Sequence, residues 1–181
     1  FLYALNRYVL YKTYHKSVES FVVYSPYLVG LLEWLKQLFA ESEGKDNKGL
    51  LPIEMVFTTD LHSMGQFIQD GSKILFETLI SFSEGSSLIF NNNYDEAELD
   101  KYNNYEFKEI ERLIKSGVKK AHEKGEVPII DFTLRKRNPY YIGYFMSFMM
   151  YSCAYSAYLL EVNPFNQDGV EIYKKEVKSL F

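Results

Sequence analysis

The chain has 181 residues, 47% of them hydrophobic, and a formal net charge of −4 at pH 7. This hydrophobic fraction excludes a disordered chain, and the length suffices for one domain with a substantial core. Basic residues cluster only at 135–137, so the basic stripe of a nucleic-acid surface is missing, and the single cysteine excludes an intrachain disulfide and a site with several cysteine ligands.

The start of the chain predicts a helix that is already under way. Apolar residues recur at helical spacing in FLYALNRYVLYKTYHK, with lysines and an arginine among them. These charges argue against a signal peptide, and the segment does not begin with methionine. We therefore expect a piece of a longer protein, and the single cysteine favours a reduced, cytoplasmic setting.

Strand and helix patterns then alternate along the chain. Residues 19–24 (ESFVVY) are a β-branched and aromatic run that predicts a strand, and leucines recur at helical spacing in 27–40. Further segments are a strand at 53–58, a helix at 61–70, a strand at 74–82, a polar surface excursion at 91–105, a helix at 106–124 and a strand at 127–134. Strands that alternate with helices predict an α/β layer architecture.

Residues 140–160 are a long uncharged segment. Its length would allow it to cross a bilayer. However, it contains six tyrosines, three serines and several other small residues. This composition favours a buried central helix packed against protein, and a membrane span is the alternative.

Two glutamates, Glu41 and Glu43, end the helix predicted at 27–40, and a glycine and lysines follow them. The negative end of a helix dipole disfavours the charged form of a carboxylate. A carboxylate in this position can serve as a general base near neutral pH. The alternative is an acidic loop that only faces solvent, and spacing alone favours that alternative.

His62 lies in the first turn of the next predicted helix, which Thr59 or Asp60 would cap. The positive end of the helix dipole keeps an imidazole neutral, and a neutral histidine can both donate and accept a proton. A structural or surface role is the commoner alternative for a single histidine.

A predicted helix ends the chain, and Asp168 and Glu171 have the N-cap and N3 spacing of a capping box at its start. Lys174 shares a side of this helix with Val170 and Val177, so it is expected on the packed stripe. The alternative is a lysine that extends its ammonium group to solvent. A glutamate, a histidine and a lysine suit proton transfer on a small polyol or sugar, but their spacing does not choose the substrate.

Several segments resemble bacterial-type glucose-6-phosphate isomerases. KQLFAESEGKDNKG and FTTDLHSMGQFIQDG resemble the core of that family, NPFNQDGVEIYK resembles its carboxy-terminal signature, and SAYLLEVNP resembles the segment that leads to that signature. The resemblance runs nearly end to end and is weakest at 83–105. It implies a three-layer α/β/α sandwich with a largely parallel sheet, the second sugar-isomerase (SIS) domain, at 1–160. A helical segment at 161–181 would follow, and the amino-terminal SIS domain would be absent.

The resemblance also implies a role for each candidate residue. Glu41 would move a proton between C2 and C1 through a cis-enediolate, and His62 would open the sugar ring. Lys174 would assist ring opening and contact the substrate, and Gln37 and Gln167 would line the same pocket. The implied reaction interconverts glucose 6-phosphate and fructose 6-phosphate in glycolysis and gluconeogenesis, without a metal or a cofactor.

The implied partners are the sugar phosphate and a second subunit, because the family contributes the histidine across a homodimer interface. The family's phosphate-binding loop and a Gly-Gly-Arg segment belong to the amino-terminal half and are not found in this sequence. We therefore expect the chain alone to be close to inactive. Two alternatives are a non-catalytic SIS domain that binds a sugar phosphate and a membrane-anchored domain that uses 140–160.

Overall fold

A computed structural model describes residues 1–93 and 96–181. Within these ranges, four parallel strands form one sheet in the order β2-β1-β3-β4: β1 (Val18–Val23), β2 (Leu51–Val56), β3 (Leu75–Phe82) and β4 (Ile129–Leu134). The α-helices are α1 (Leu2–Lys12), α2 (Val29–Glu43), α3 (Leu61–Asp70), α4 (Phe107–Lys124), α5 (Pro139–Leu159) and α6 (Asp168–Lys178). Short 3-10 helices lie at Pro26–Leu28 and Ala97–Tyr102. These bounds confirm the predicted strands and helices from 19 onward to within three residues at either end, and the first helix ends four residues before its predicted pattern does.

Helices cover both faces of the sheet. On one face, Phe21 and Val23 of β1 pack in a core with residues of α1, α2 and α5. On the other face, Val22 of β1 packs with Ile68 of α3 and with Val127, which follows α4. Alternate residues of one strand therefore enter two separate cores, as the pleat of a buried strand requires. The three-layer α/β/α architecture predicted from the sequence is confirmed.

Because the strands are parallel, each end of a connecting helix lies at a known edge of the sheet. Each of α2, α3 and α4 follows one strand and precedes the next, so it begins at the edge where strands end and returns to the edge where strands begin. We call these the carboxyl edge and the amino edge. The last turn of α2 lies at the amino edge, and the first turn of α3 lies at the carboxyl edge.

Helix α5 is buried on one face only. Phe145, Met149 and Cys153 lie in the core with α1 and α2, whereas Tyr144 and Tyr151 are 67% and 72% exposed. The prediction of a buried helix therefore holds for one face. No helix in the described part of the chain is long and apolar enough to cross a membrane.

The excursion predicted at 91–105 contains the 3-10 helix at Ala97–Tyr102, and an isolated bridge between Ile89 and Glu106 closes its base. Residues 94–95 of the predicted excursion lie outside the described residues.

Candidate active site

Glu41 lies in the last turn of α2. The apolar side of this helix, Leu32, Leu35 and Phe39, is fully buried against the sheet. The helix ends at Gly44, where an added Cβ would come within 2.8 Å of the carbonyl oxygen of Ala40. The packed side and the glycine stop place the Glu41 carboxylate at the amino edge, on the half-exposed side of the helix.

Two glutamine amides bind the carboxylate of Glu41. Gln37, one turn earlier on α2, donates from Nε2 to Oε1 at 3.3 Å. Gln167 donates from Nε2 to Oε2 at 2.6 Å, and it is the residue immediately before α6. Trp34, Leu38 and Ser42 line a cavity of about 210 Å³ with these three side chains. Each oxygen of the candidate base therefore has a donor that orients it.

Lys174 lies two turns into α6 and is exposed. Its ammonium group donates to Oε1 of Glu171 at 3.0 Å. This hydrogen bond and the charge of Glu171 raise the pKa of Lys174, and the charge of Glu41 adds to the increase. The direct hydrogen-bond partner of Lys174 is therefore Glu171, and Glu41 acts on it only through its charge.

Two expectations for α6 are wrong. The N-cap residue is Gln167 rather than Asp168, and no side chain caps the helix. Asp168 lies in the first turn and accepts a hydrogen bond from Nδ2 of Asn166 at 2.9 Å. The expected packed stripe is not covered either, because α6 contains no buried residue and Tyr173 and Val177 are 59% and 52% exposed.

The lysines that follow Glu43 hold the candidate site together. Lys45 donates from Nζ to the carbonyl oxygens of Ser42 and Asn163. Lys48 donates to the carbonyl oxygen of Leu160 at 3.0 Å. The loop after α2 is thereby fixed to the segment between α5 and α6, which carries Gln167. Sequence reasoning missed this role, for which the only signal was two lysines directly after a helix end.

His62 does not join this cluster. It is exposed in the first turn of α3, at the carboxyl edge. Asp60 is the N-cap residue but does not cap with its side chain, and instead accepts from the amide of Val56 at 2.6 Å. The six residues of β2 separate the two edges by about 20 Å. The structure therefore brings Gln37 and Gln167 onto Glu41 within one chain. It leaves Lys174 bound to Glu171 outside the cavity and His62 at the opposite edge.

Behind Glu41 lies a buried ionic cluster that sequence reasoning also missed. The guanidinium of Arg7, which is fully buried, donates from Nε to Oε2 of Glu19 at 2.7 Å. It also donates to both carboxylate oxygens of Glu43, through Nη1 and through Nη2, the latter at 3.0 Å. Burial alone would lower the pKa of Arg7, but the charges of Glu19 and Glu43 outweigh it and raise the pKa well above its ordinary value.

No family model matches the chain. Among curated proteins, it is 47% identical over 180 residues to the glucose-6-phosphate isomerase of Acholeplasma laidlawii, covering 98% of this chain and 42% of that protein. It is 44% identical over 178 residues to the enzyme of the same name from Mycoplasmopsis synoviae, covering 97% of this chain and 41% of the other. The chain thus spans about two fifths of the length of the curated relatives it matches, and over that span it is homologous to them.

Solved structures share the fold. A hypothetical protein from Thermus thermophilus superimposes with a TM-score of 0.87 at 22% identity, over 97% of this chain and 44% of the other. A glucose-6-phosphate isomerase from Chlamydia trachomatis gives a TM-score of 0.77 at 18% identity, over 99% of this chain and 37% of the other. At these identities the likeness concerns the fold alone.

Proposed function

We propose that this chain is the carboxy-terminal part of a glucose-6-phosphate isomerase and supplies the base of its active site. The observation that carries the proposal is the hydrogen bond between Gln167 and Glu41. It joins the ESEGK segment to the NPFNQDG segment, the two motifs on which the resemblance depends. The named relatives, which align with nearly the whole chain, support the same reading.

In the proposed reaction, Glu41 takes the proton from C2 of the open-chain sugar and returns it to C1. The amides of Gln37 and Gln167 hold the two carboxylate oxygens in place, so the base is oriented before the substrate arrives. In this proposal Lys174, whose ammonium group is exposed beside Glu171, assists ring opening and contacts the substrate.

The position of His62 supports a homodimer. Because His62 lies at the edge opposite Glu41, one chain cannot bring both side chains to one sugar. A second subunit that presents its carboxyl edge to this amino edge would complete the pair. In this proposal the enzyme is cytoplasmic, and the one cysteine of the given chain is buried and free.

The chain divides, in this proposal, into a second SIS domain at 1–160 and a carboxy-terminal segment at 161–181 that carries Lys174. The amino-terminal part of the complete enzyme would contribute the phosphate-binding loop and an arginine for the enediolate. The 181 residues alone would then bind a sugar phosphate poorly and turn it over little.

The test joins this chain to the amino-terminal three fifths or so of the Acholeplasma laidlawii relative, with the complete relative as positive control. We expect the fusion protein to convert glucose 6-phosphate to fructose 6-phosphate. Glu41→Gln should reduce isomerisation by about 10²–10⁴-fold, because it removes the general base. Ring opening, followed as exchange between the sugar anomers, should survive.

The matched control is Glu33→Gln, which changes an exposed glutamate of the same helix and should leave turnover unchanged. Normal isomerisation by the Glu41→Gln protein would refute the assignment of the base. A folded fusion protein that binds glucose 6-phosphate without converting it would instead favour the non-catalytic sugar-phosphate-binding domain.

A further inference from the structure

Arg7 connects the two chain segments that form the candidate site. Its guanidinium lies among α1, β1, α2 and α5, with Glu19, Glu43 and Ser156 as hydrogen-bond partners. We propose that Arg7 is a positioning residue for Glu41, acting through its two-pronged contact with Glu43. This inference rests on the proposed function, because it assumes that Glu41 is the base.

The first step in the argument is the geometry of a helix end. Glu43 is the last residue of α2 and is fully buried, whereas Glu41 is half-exposed two positions earlier. Successive residues of an α-helix are about 100° apart around its axis, so these two side chains point in nearly opposite directions. The hydrogen bonds from Arg7 to Glu43 therefore fix the orientation of the last turn of α2 and the direction in which the Glu41 side chain points. Without a grip, the last turn of a helix frays.

The second step concerns the partner of Glu41. Arg7 also donates from Nη1 to the hydroxyl oxygen of Ser156 on α5, at 2.6 Å. Ser156 lies one turn before Leu160, the residue whose carbonyl oxygen accepts from Lys48. The chain then continues to Gln167. The guanidinium of Arg7 thus binds both α2, which carries Glu41, and α5, which precedes the loop that carries Gln167.

The third step is the chemistry of the contact. A guanidinium is a planar fork that fixes a carboxylate in both distance and orientation, which an ammonium group cannot do. The second carboxylate of the cluster, Glu19, also accepts hydrogen bonds from Tyr3 at 2.5 Å and from Thr78 at 2.6 Å. These donors hold Glu19 in place, so it does not draw Arg7 away from Glu43. The ring of Phe39 lies 4.1 Å from the guanidinium carbon and closes the remaining side. The cluster therefore permits one orientation of Glu43.

The test compares two variants in the fusion protein with the amino-terminal part of the Acholeplasma laidlawii relative. Glu43→Gln removes the negative charge that Arg7 binds and preserves the size and shape of the side chain. Glu77→Gln is the matched control, because Glu77 is buried at 2% exposure on the opposite face of the sheet, beside His122 of α4. The readouts are kcat, KM and amide hydrogen exchange at 40–44 relative to 31–36 of the same helix.

We expect Glu43→Gln to lower kcat at least tenfold with KM within about threefold, and to speed exchange at 40–44 at least tenfold. Glu77→Gln should leave kcat within twofold. An unchanged kcat in Glu43→Gln, or an equal loss in Glu77→Gln, would overturn the proposal. If the parent fusion protein does not isomerise its substrate, the proposed function fails, and exchange at 40–44 still decides whether the Arg7 contact holds this turn.

Discussion

Gln167 donates a hydrogen bond of 2.6 Å to Glu41, although the two residues are 126 positions apart in the chain. Glu41 belongs to a helix that is packed on the sheet, whereas Gln167 ends the loop after α5 and precedes the exposed helix α6. Lys45 and Lys48 bind carbonyl oxygens of that segment and bring it to the end of α2. The contact therefore depends on the loop after the base as well as on the base itself.

Gln167→Leu should reduce kcat of the fusion protein by roughly tenfold. The change removes a donor from one oxygen of Glu41, and a hydrogen bond to a charged group contributes about 1.5–3 kcal/mol, the lower figure applying at an exposed site. Leucine is similar in size, so the fold should be retained. Steady-state kinetics on the variant and its parent give the comparison.

A glutamine elsewhere on the surface provides the control for this prediction. Gln66 on α3 donates to Asp70 at 3.4 Å, far from Glu41, and is also exposed. Gln66→Leu should leave kcat unchanged. An equal effect of the two substitutions would show that the Gln167 contact has no specific role.

Glu171→Gln should lower the pKa of Lys174. The hydrogen bond to Glu171 and its charge are the main causes that raise this pKa above the ordinary value of 10.5. A raised lysine pKa means that the folded chain holds this proton to higher pH than the unfolded chain does. Any stability gained from the pair is thus present below pH 10.5 and is lost as the pH rises further. Titration of the Lys174 Cε signal by NMR measures the shift, and identical curves for variant and parent would contradict the contact.

Local sequence patterns predicted the helices and strands because the apolar residues of each element recur with a clear periodicity. The leucines of α2 recur at helical spacing, and the apolar runs of β1 and β3 are buried on both faces, so each was recognisable without knowledge of its neighbours. Gln37 could also be placed, since it lies one helical turn before Glu41. Local periodicity therefore predicts those parts of the site that lie within one element.

Contacts between distant segments had no local signal. Arg7 lies 12 positions from Glu19 and 36 from Glu43, and in sequence it looks like an ordinary charge on a helix. The proposed capping box failed for a related reason, because the spacing of Asp168 and Glu171 fits a cap but the helix begins one residue earlier than that cap requires. The position of His62 at the opposite edge follows from the topology of the sheet and not from its own motif.

The thiol of Cys153 should be nearly inert in the folded chain. Burial, together with the charge of Glu43, raises its pKa to about 12. At pH 8 about one thiol in ten thousand would be ionised, against roughly a quarter of thiols with the ordinary pKa of about 8.5. Because Cys153 is the only cysteine, alkylation by iodoacetamide reports on it alone.

We expect this alkylation to be at least about 1,000-fold slower in the folded chain than in urea, following the thiolate fractions. The raised pKa also means that the folded state retains the proton above about pH 8.5, where unfolded thiols are half ionised. The contribution of Cys153 to stability should therefore decline from about pH 8.5 towards pH 12. Rapid alkylation at pH 8 without denaturant would contradict the packing of α5 against α2.

Arg7→Met should lower the free energy of unfolding by about 3–5 kcal/mol at pH 7, because it leaves Glu19 and Glu43 buried without their cation. Adding Glu43→Gln should recover part of the loss, because one of the two buried charges is then gone. Urea titrations at pH 7 measure all three proteins, with Arg112→Met on the exposed side of α4 as control. If Arg7→Met cost no more than Arg112→Met, the buried cluster would not hold these elements together, because an uncompensated pair of buried carboxylates cannot be neutral in its effect on stability.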